Sequence, residues 1–303
     1  MLSYFAKRGE EPMTKLIAMP NEINEIDNLI SAVDAVLFGI ENMSVNCIDI
    51  EEKELESLVK KIKAAGKEIF VSLNKNMHNK DLKSAEKILK KCSKLHVDGI
   101  LYCDVAILQL CHKLSLDLPL VWSAEHLVTN YHTINYWQRF NISHVFLSNE
   151  ITKEEILDIK KNVTIPVIVQ CFGYLPMYVS KRLAVTNYLR FFKLKTSAKK
   201  FYLFKEDKTY PIVERDIGTE IYSAYILNAI CEYLIYKDNK IDYVLLSGFE
   251  IEVDKFIRVI ELFKTVDDSN KESYKLEIEH MFENSSQGFL HTETIYQVKK
   301  NEK

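Results

Sequence analysis

The feature that most constrains this chain is a short apolar phrase that recurs at wide intervals. Val33-Asp34-Ala35-Val36-Leu37, Val97-Asp98-Gly99-Ile100-Leu101 and Ile241-Asp242-Tyr243-Val244-Leu245 share the pattern (Val/Ile)-Asp-x-(Val/Ile)-Leu, and Ile142-Ser143-His144-Val145-Phe146 is a looser copy. A second kind of run follows Gly, Pro or Thr: Glu68-Ile69-Phe70-Val71-Ser72, Leu118-Pro119-Leu120-Val121-Trp122 and Ile165-Pro166-Val167-Ile168-Val169. With Leu16-Ile17-Ala18-Met19 they make eight strand-sized runs rich in β-branched residues. Amphipathic stretches separate them. Leu55, Leu58, Val59, Ile62 and Ala65 share one helical face, closed by Gly66, and Leu82, Ala85, Leu89 and Cys92 share another. Thr152 with Glu155 is a capping box that opens a further helix. Strand and helix in alternation predict a parallel sheet. Eight such units in about 250 residues match an α/β, TIM-barrel-like (β/α)8 fold. An open doubly wound sheet is disfavoured, because no fingerprint turn follows the first run.

Between Gln170 and Tyr243 the repeat is interrupted by a stretch long enough for an insertion between strands 7 and 8. Strands are expected at Phe201 to Phe204 and Tyr210 to Val213, with a helix from Ile221 to Tyr236. The expected organisation is a disordered extension over 1–12, a barrel over 13–265 with an insertion at 170–240, and a polar C-terminal appendage over 266–303.

Composition narrows the chemistry. The eight glycines are never closer than 27 positions (Gly39 to Gly66), so neither a Walker loop nor a GxGxxG turn can be drawn. The formal net charge of -3 gives no global reason to expect nucleic acid. The apolar runs are too short for a membrane span, and Lys7, Arg8, Glu10 and Glu11 do not suit a signal peptide, so a cytoplasmic location with no membrane contact is expected. Cys47, Cys92, Cys103, Cys111, Cys171 and Cys231 contain no CxxC pair and read as reduced, mostly buried thiols; no metal site is expected.

In a barrel of this kind the site is built at the C-terminal strand ends. Asn74, Ser123 and Glu125 are the polar candidates there, each alternatively an N-cap or loop residue that satisfies backbone amides. Asp104, Glu125 and Glu150 come from successive units and would suit acid/base work if they converged. His126 and His132 are off helical zinc spacing, and neither HExxH nor GxSxG occurs. From Lys181 to Lys205 lie eight basic residues and no acidic one, interleaved with Tyr188, Phe191, Phe192, Phe201, Tyr202 and Phe204. Cations beside aromatic faces are the ingredients of RNA binding. The alternative is a solvated basic face whose aromatics point into the core.

Phe172-Gly173-Tyr174-Leu175-Pro176-Met177-Tyr178-Val179-Ser180-Lys181-Arg182, followed by Asn187-Tyr188-Leu189, resembles the signature region of the collagenase-like peptidases, family U32. Asn74 to Asn79, Thr129 to Trp137, Tyr210 to Val213 and Gly288-Phe289-Leu290 extend the resemblance along most of the chain. It is similar above all to short members that accompany a longer paralogue. The resemblance implies a TIM-barrel-like fold and either peptidase activity or hydroxylation, including that of wobble uridine in transfer RNA, with an iron–sulfur cluster. It implies a Glu, a His and two cysteines where this chain has Ile168, Phe172, Pro176 and Leu183. These cannot act as a base or ligate a cluster. The expectation is therefore a chain without a cofactor of its own, serving as an auxiliary subunit of tRNA wobble-uridine hydroxylation beside a longer, cluster-bearing paralogue. Tyr174, Ser180, Lys181, Arg182, Asn187 and Arg190 are expected to hold RNA or an anionic ligand, with Asn74, Ser123 and Glu125 at the barrel mouth. The alternative is a peptidase that hydrolyses peptide bonds.

Overall fold

A computed structural model describes residues 13–292; the expected extension over 1–12 lies outside them. All eight apolar runs are strands of one closed parallel barrel. In spatial order they are β1 (Lys15–Met19), β2 (Ala35–Ile40), β4 (Glu68–Ser72), β5 (Gly99–Tyr102), β6 (Leu120–Trp122), β7 (His144–Phe146), β8 (Val167–Ser180) and β12 (Tyr243–Ser247), which pairs with both β8 and β1. Short β3 (Asp49–Ile50) adds to the end of β2. The crossovers include α1 (Ile26–Leu29), α2 (Leu55–Ala64), α3 (Leu82–Leu95), α4 (Val105–Lys113), α5 (Tyr131–Gln138) and α6 (Lys153–Asn162), and α9 (Val253–Thr265) follows β12. α2 buries Leu55, Val59 and Ile62, and α3 buries Ala85, Ile88, Leu89 and Cys92. The capping box of Thr152 and Glu155 opens α6.

The repeated aspartate has a structural cause. Each one sits just before its strand at the N-terminal end of the barrel and accepts a backbone N–H of a neighbouring strand. Asp34 Oδ2 takes Leu16 N at 2.9 Å, Asp98 Oδ2 takes Ile69 N at 2.9 Å and Asp242 Oδ2 takes Val167 N at 2.7 Å. Ser143, in the looser copy, donates its hydroxyl to the Leu120 carbonyl at 2.9 Å instead. Each clamp satisfies an amide that the ladder would otherwise leave open.

Two apolar cores result. One lies between barrel and helices; the other fills the barrel with Ile17, Leu37, Phe70, Leu101, Val121, Ile168 and Leu245. Because side chains alternate along a strand, the residue two after each of several filling positions also points inward, nearer the C-terminal mouth. Phe70 is followed by Ser72, Val121 by Ser123 and Ile168 by Gln170, all three buried. The interior is thus apolar below and polar at the top.

β8 leaves the barrel halfway along its length. Residues up to Phe172 pair with β12, and those beyond pair antiparallel with β11 (Gly218–Asn228), which continues to β10 (Lys208–Arg215) and β9 (Phe201–Lys205). Gly173, at φ +102°, marks the departure; a Cβ there would stand 2.4 Å from the Ser247 carbonyl oxygen, so only glycine fits. The helix expected from Ile221 to Tyr236 is half strand: β11 runs to Asn228, and α8 covers only Ile230–Asp238. Thr219 to Asn228 is rich in β-branched and aromatic residues, and pairing with β8 on one side and β10 on the other outweighs its helical spacing. After α9, α10 (Lys271–Met281) packs on α8 and α9, and Ile278, Phe282 and Leu290 join the outer core.

Candidate functional site

The polar top layer lines a cavity of about 70 Å³ at the barrel mouth. Asn74, Ser123 and Glu125 all face it, with Ser72, Gln170 and Tyr174, above a floor that includes Leu37, Leu101, Phe146 and Leu245. The mouth opens into a groove of about 1000 Å³ between the Asn74–Asp81 loop and the outer part of β8, and Asn74, Ser123, Glu125 and His126 border both spaces.

The loop after β2 supplies the residue that ties this rim together. Asn46 donates Nδ2 to Glu125 Oε1 and its backbone N–H to Glu220 Oε2 at 2.8 Å. Asn46 and Glu125 both have left-handed backbones, at φ 55° and 36°. That conformation costs a non-glycine residue energy and is common at ligand sites. Asn74 Oδ1 holds the same loop through Val45 N at 2.9 Å. Behind it, Glu220 is almost fully buried and accepts from Arg215 and, at 3.0 Å, from the Tyr222 hydroxyl, while Arg215 Nη1 also binds Asp49 at 2.7 Å. This network joins the β10–β11 hairpin to the mouth of the barrel.

Burial raises the Glu125 pKa; the Asn46 hydrogen bond and His126 oppose the shift, and Glu220 and Glu150 add to it. His126 Nδ1 lies 3.2 Å from Glu150 Oε2. Glu125 and Glu150 thus share the mouth, but Asp104 does not join them. It caps α4 through Ala106 N at 2.9 Å and holds Met77 N at 2.7 Å, a purely structural use. The Cys103 thiol, which donates to the Asn74 carbonyl, is pushed up to about 12 by burial and the nearby carboxylates, so it is a poor nucleophile near neutral pH.

The remaining candidates divide by position. Tyr174 lines the mouth and Lys181 the groove. Ser180 ends β8 and accepts from Arg182 N at 3.3 Å; Arg182, Asn187 and Arg190 are exposed on the segment that leads into and forms α7 (Ala184–Phe191). The aromatics of this basic stretch do not point into the core. Phe191 is 79% exposed and Phe204 74%, and Tyr188, Phe192 and Tyr202 are exposed as well. Lys193, Lys195 and Lys199 in the same stretch are exposed as well.

Sequence reasoning missed Asn46, Ser72 and the Arg215–Glu220 pair. The alternation of β4 was a signal for Ser72, two residues beyond the inward Phe70. Nothing local marked Asn46 or the pair, which meet the mouth only through the tertiary fold.

The positions implied for a cluster-bearing site are apolar in place as well as in type. Ile168 is in the barrel filling, Phe172 stacks on Phe256, Pro176 lines the mouth and Leu183 is on the surface. Burial holds the Cys171 thiol well above its usual range, and among the described residues no three His, Cys, Asp or Glu side chains gather as metal ligands. This donor set does not fit an iron–sulfur cluster.

Residues 24–300 match peptidase family U32. The chain belongs to that family. It is 27% identical to the tRNA hydroxylation protein P2 of Bacillus subtilis (strain 168), over 93% of this chain and 99% of that protein. It is also 24% identical to tRNA hydroxylation protein P1 of the same organism, over 60% of this chain and 44% of P1, and 26% identical to tRNA hydroxylation protein P of Escherichia coli (strain K12), over 52% of this chain and 35% of that protein. Among solved structures, the U32 peptidase Mk0906 superposes with a TM-score of 0.50 at 15% identity, covering 81% of this chain and 97% of that one, a likeness of fold. Among the described residues no helix is long and apolar enough to cross a membrane.

Proposed function

We propose that this chain is a cluster-free, auxiliary subunit in the hydroxylation of wobble uridine in transfer RNA, working in the cytoplasm beside a longer paralogue that carries the iron–sulfur cluster. The observation that carries the reading is the fate of the signature segment. Its reactive positions are apolar, yet the strand that bears it runs from the barrel mouth straight onto an exposed basic and aromatic surface. An enzyme that had lost its chemistry without acquiring another role would have no reason to keep such a surface solvent-facing, because exposed aromatics are costly unless a partner covers them. Lysines and arginines attract phosphates, and exposed rings stack on unpaired bases. The near full-length similarity to a tRNA hydroxylation protein points the same way.

In this reading the mouth residues Asn74, Ser123 and Glu125 and the outward residues Tyr174, Ser180, Lys181, Arg182, Asn187 and Arg190 bind and present RNA, and the oxidative step belongs to the partner. Deleting the gene and analysing tRNA nucleosides by mass spectrometry tests it. Hydroxylated wobble uridine is expected to fall, and to return when the wild-type gene is restored. Unchanged nucleosides, or hydrolysis of gelatin by the purified chain that disappears with Glu125→Gln, would sink the proposal.

A further inference from the structure

The sheet that leaves the barrel ends on an open edge. Among the described residues β9 pairs with β10 on one side and with no strand on the other. In an antiparallel ladder alternate residues bond the neighbouring strand, so the remaining N–H and C=O groups of β9 face outward. Its side chains are open too, since Tyr202, Leu203 and Phe204 are all exposed. An apolar strand edge of this kind is a template for another strand.

The flanking charges select which strand fits. Lys199 and Lys200 precede β9, and Glu206 and Asp207 form the two-residue turn that follows it. In two identical antiparallel strands related by a two-fold axis, bonded and unbonded pairs alternate, so one residue must stand opposite itself. With Leu203 in that place, Tyr202 faces Phe204 of the second copy and Phe201 faces Lys205. Lys200 then faces Glu206, and Lys199 faces Asp207. Sliding one copy by two residues sets Lys199 against Lys205 in one direction and Lys200 against Lys208 in the other. Parallel pairing in register sets every lysine against itself. Lys200 already binds Glu250 of its own chain, so Lys199 with Asp207 is the main ionic contact across the axis.

We infer that a second copy of this chain docks along β9, strand to strand and antiparallel, with Leu203 on the two-fold axis, joining the sheets of the two copies. Aromatic pairs and opposite charges across the strands stabilise this arrangement. The lysines that blunt the edge against indiscriminate pairing leave this register open. None of the residues assigned above to RNA takes part, and the inference does not rest on the tRNA reading.

Sedimentation velocity of the purified full chain, without RNA, tests the association; the mass is expected to rise with concentration to twice that of one chain. Cysteine variants test the register, with the wild-type chain as control. Leu203→Cys should give a covalent dimer on mild oxidation, because opposed residues of antiparallel strands stand about 4.5–5.5 Å apart at Cα, within reach of a disulfide. Tyr202→Cys and Phe204→Cys should each cross-link poorly alone and readily when mixed. Glu206 has a left-handed backbone at φ 50° and is left in place. Asp207→Lys should weaken association about 3- to 10-fold, the range of two symmetric exposed ion pairs, and Lys199→Asp in the same chain should restore it. Circular dichroism checks that each variant folds. A single-chain mass at every concentration, no cross-link from Leu203→Cys, a full cross-link from Tyr202→Cys alone, or association only when RNA or the longer paralogue is added would overturn the assignment. A monomer whose gene deletion alters tRNA overturns this inference alone. A dimer whose deletion changes no nucleoside overturns the tRNA reading alone.

Discussion

The two ends of this barrel use the same kinds of polar side chain for opposite purposes. At the N-terminal end the carboxylates that close the barrel have protein partners, although the buried Thr14 hydroxyl has none. Asp34, Asp98 and Asp242 clamp neighbouring strands, Glu68 binds Lys15 and accepts from the Tyr243 hydroxyl at 2.9 Å, and Lys160 binds Asp242 at 2.5 Å. At the C-terminal end Asn46 and Ser72 each keep a buried atom unengaged, and Glu125 is held in a site that disfavours its charge. The contrast is in keeping with the division of labour in this architecture between a stabilising bottom and a functional top.

Substitution at the bottom should break the fold and spare the chemistry. Asp242→Ala leaves Val167 N without an acceptor and Lys160 without its partner, and should lower unfolding free energy by about 2–3 kcal/mol in a urea titration. RNA binding by the remaining folded protein should be unaltered; a variant as stable as the wild type would remove the clamp from this account.

The next effect is one of pH. Burial lowers the pKa of His144, which packs edge-on against Phe70 and Tyr243 in the lower barrel, to about 4, against an unfolded value near 6.5. The folded chain therefore binds fewer protons than the unfolded chain between these values. Stability should be full above about pH 6.5, decline as pH falls toward 4 and level off below that for this group. Thermal midpoints measured across that range check the sign, and His144→Phe should flatten the profile. A wild-type protein whose stability rises on acidification through this window would contradict it.

Much of this comparison was legible in the sequence, and the parts that were not share a physical reason. The eight apolar runs fixed the barrel because strand periodicity and crossover length are local properties. The repeated Asp was visible as a pattern, but its purpose was not, since its partner lies on another strand. Asn74, Ser123 and Glu125 were found because they follow strands directly. Asp104 looked alike and proved to be a helix cap. The stretch from Ile221 to Asn228 carries apolar spacing compatible with a helix, and only its two strand neighbours decide otherwise. Asn46, placed by a salt-bridged pair 169 and 174 residues further along the chain, had no local signal at all. The exposure of Phe191 and Phe204 likewise depended on where the hairpin came to rest.

The most direct test of the contrast between the two ends is the single substitution Ser72→Ala, read for both stability and function. The account predicts an unfolding free energy within about 0.5 kcal/mol of wild type, because an unpartnered buried hydroxyl contributes nothing to hold, together with failure to restore hydroxylated wobble uridine to tRNA in a strain lacking the gene. A variant that restores the modified nucleoside fully, or one that unfolds as readily as Asp242→Ala, would contradict it.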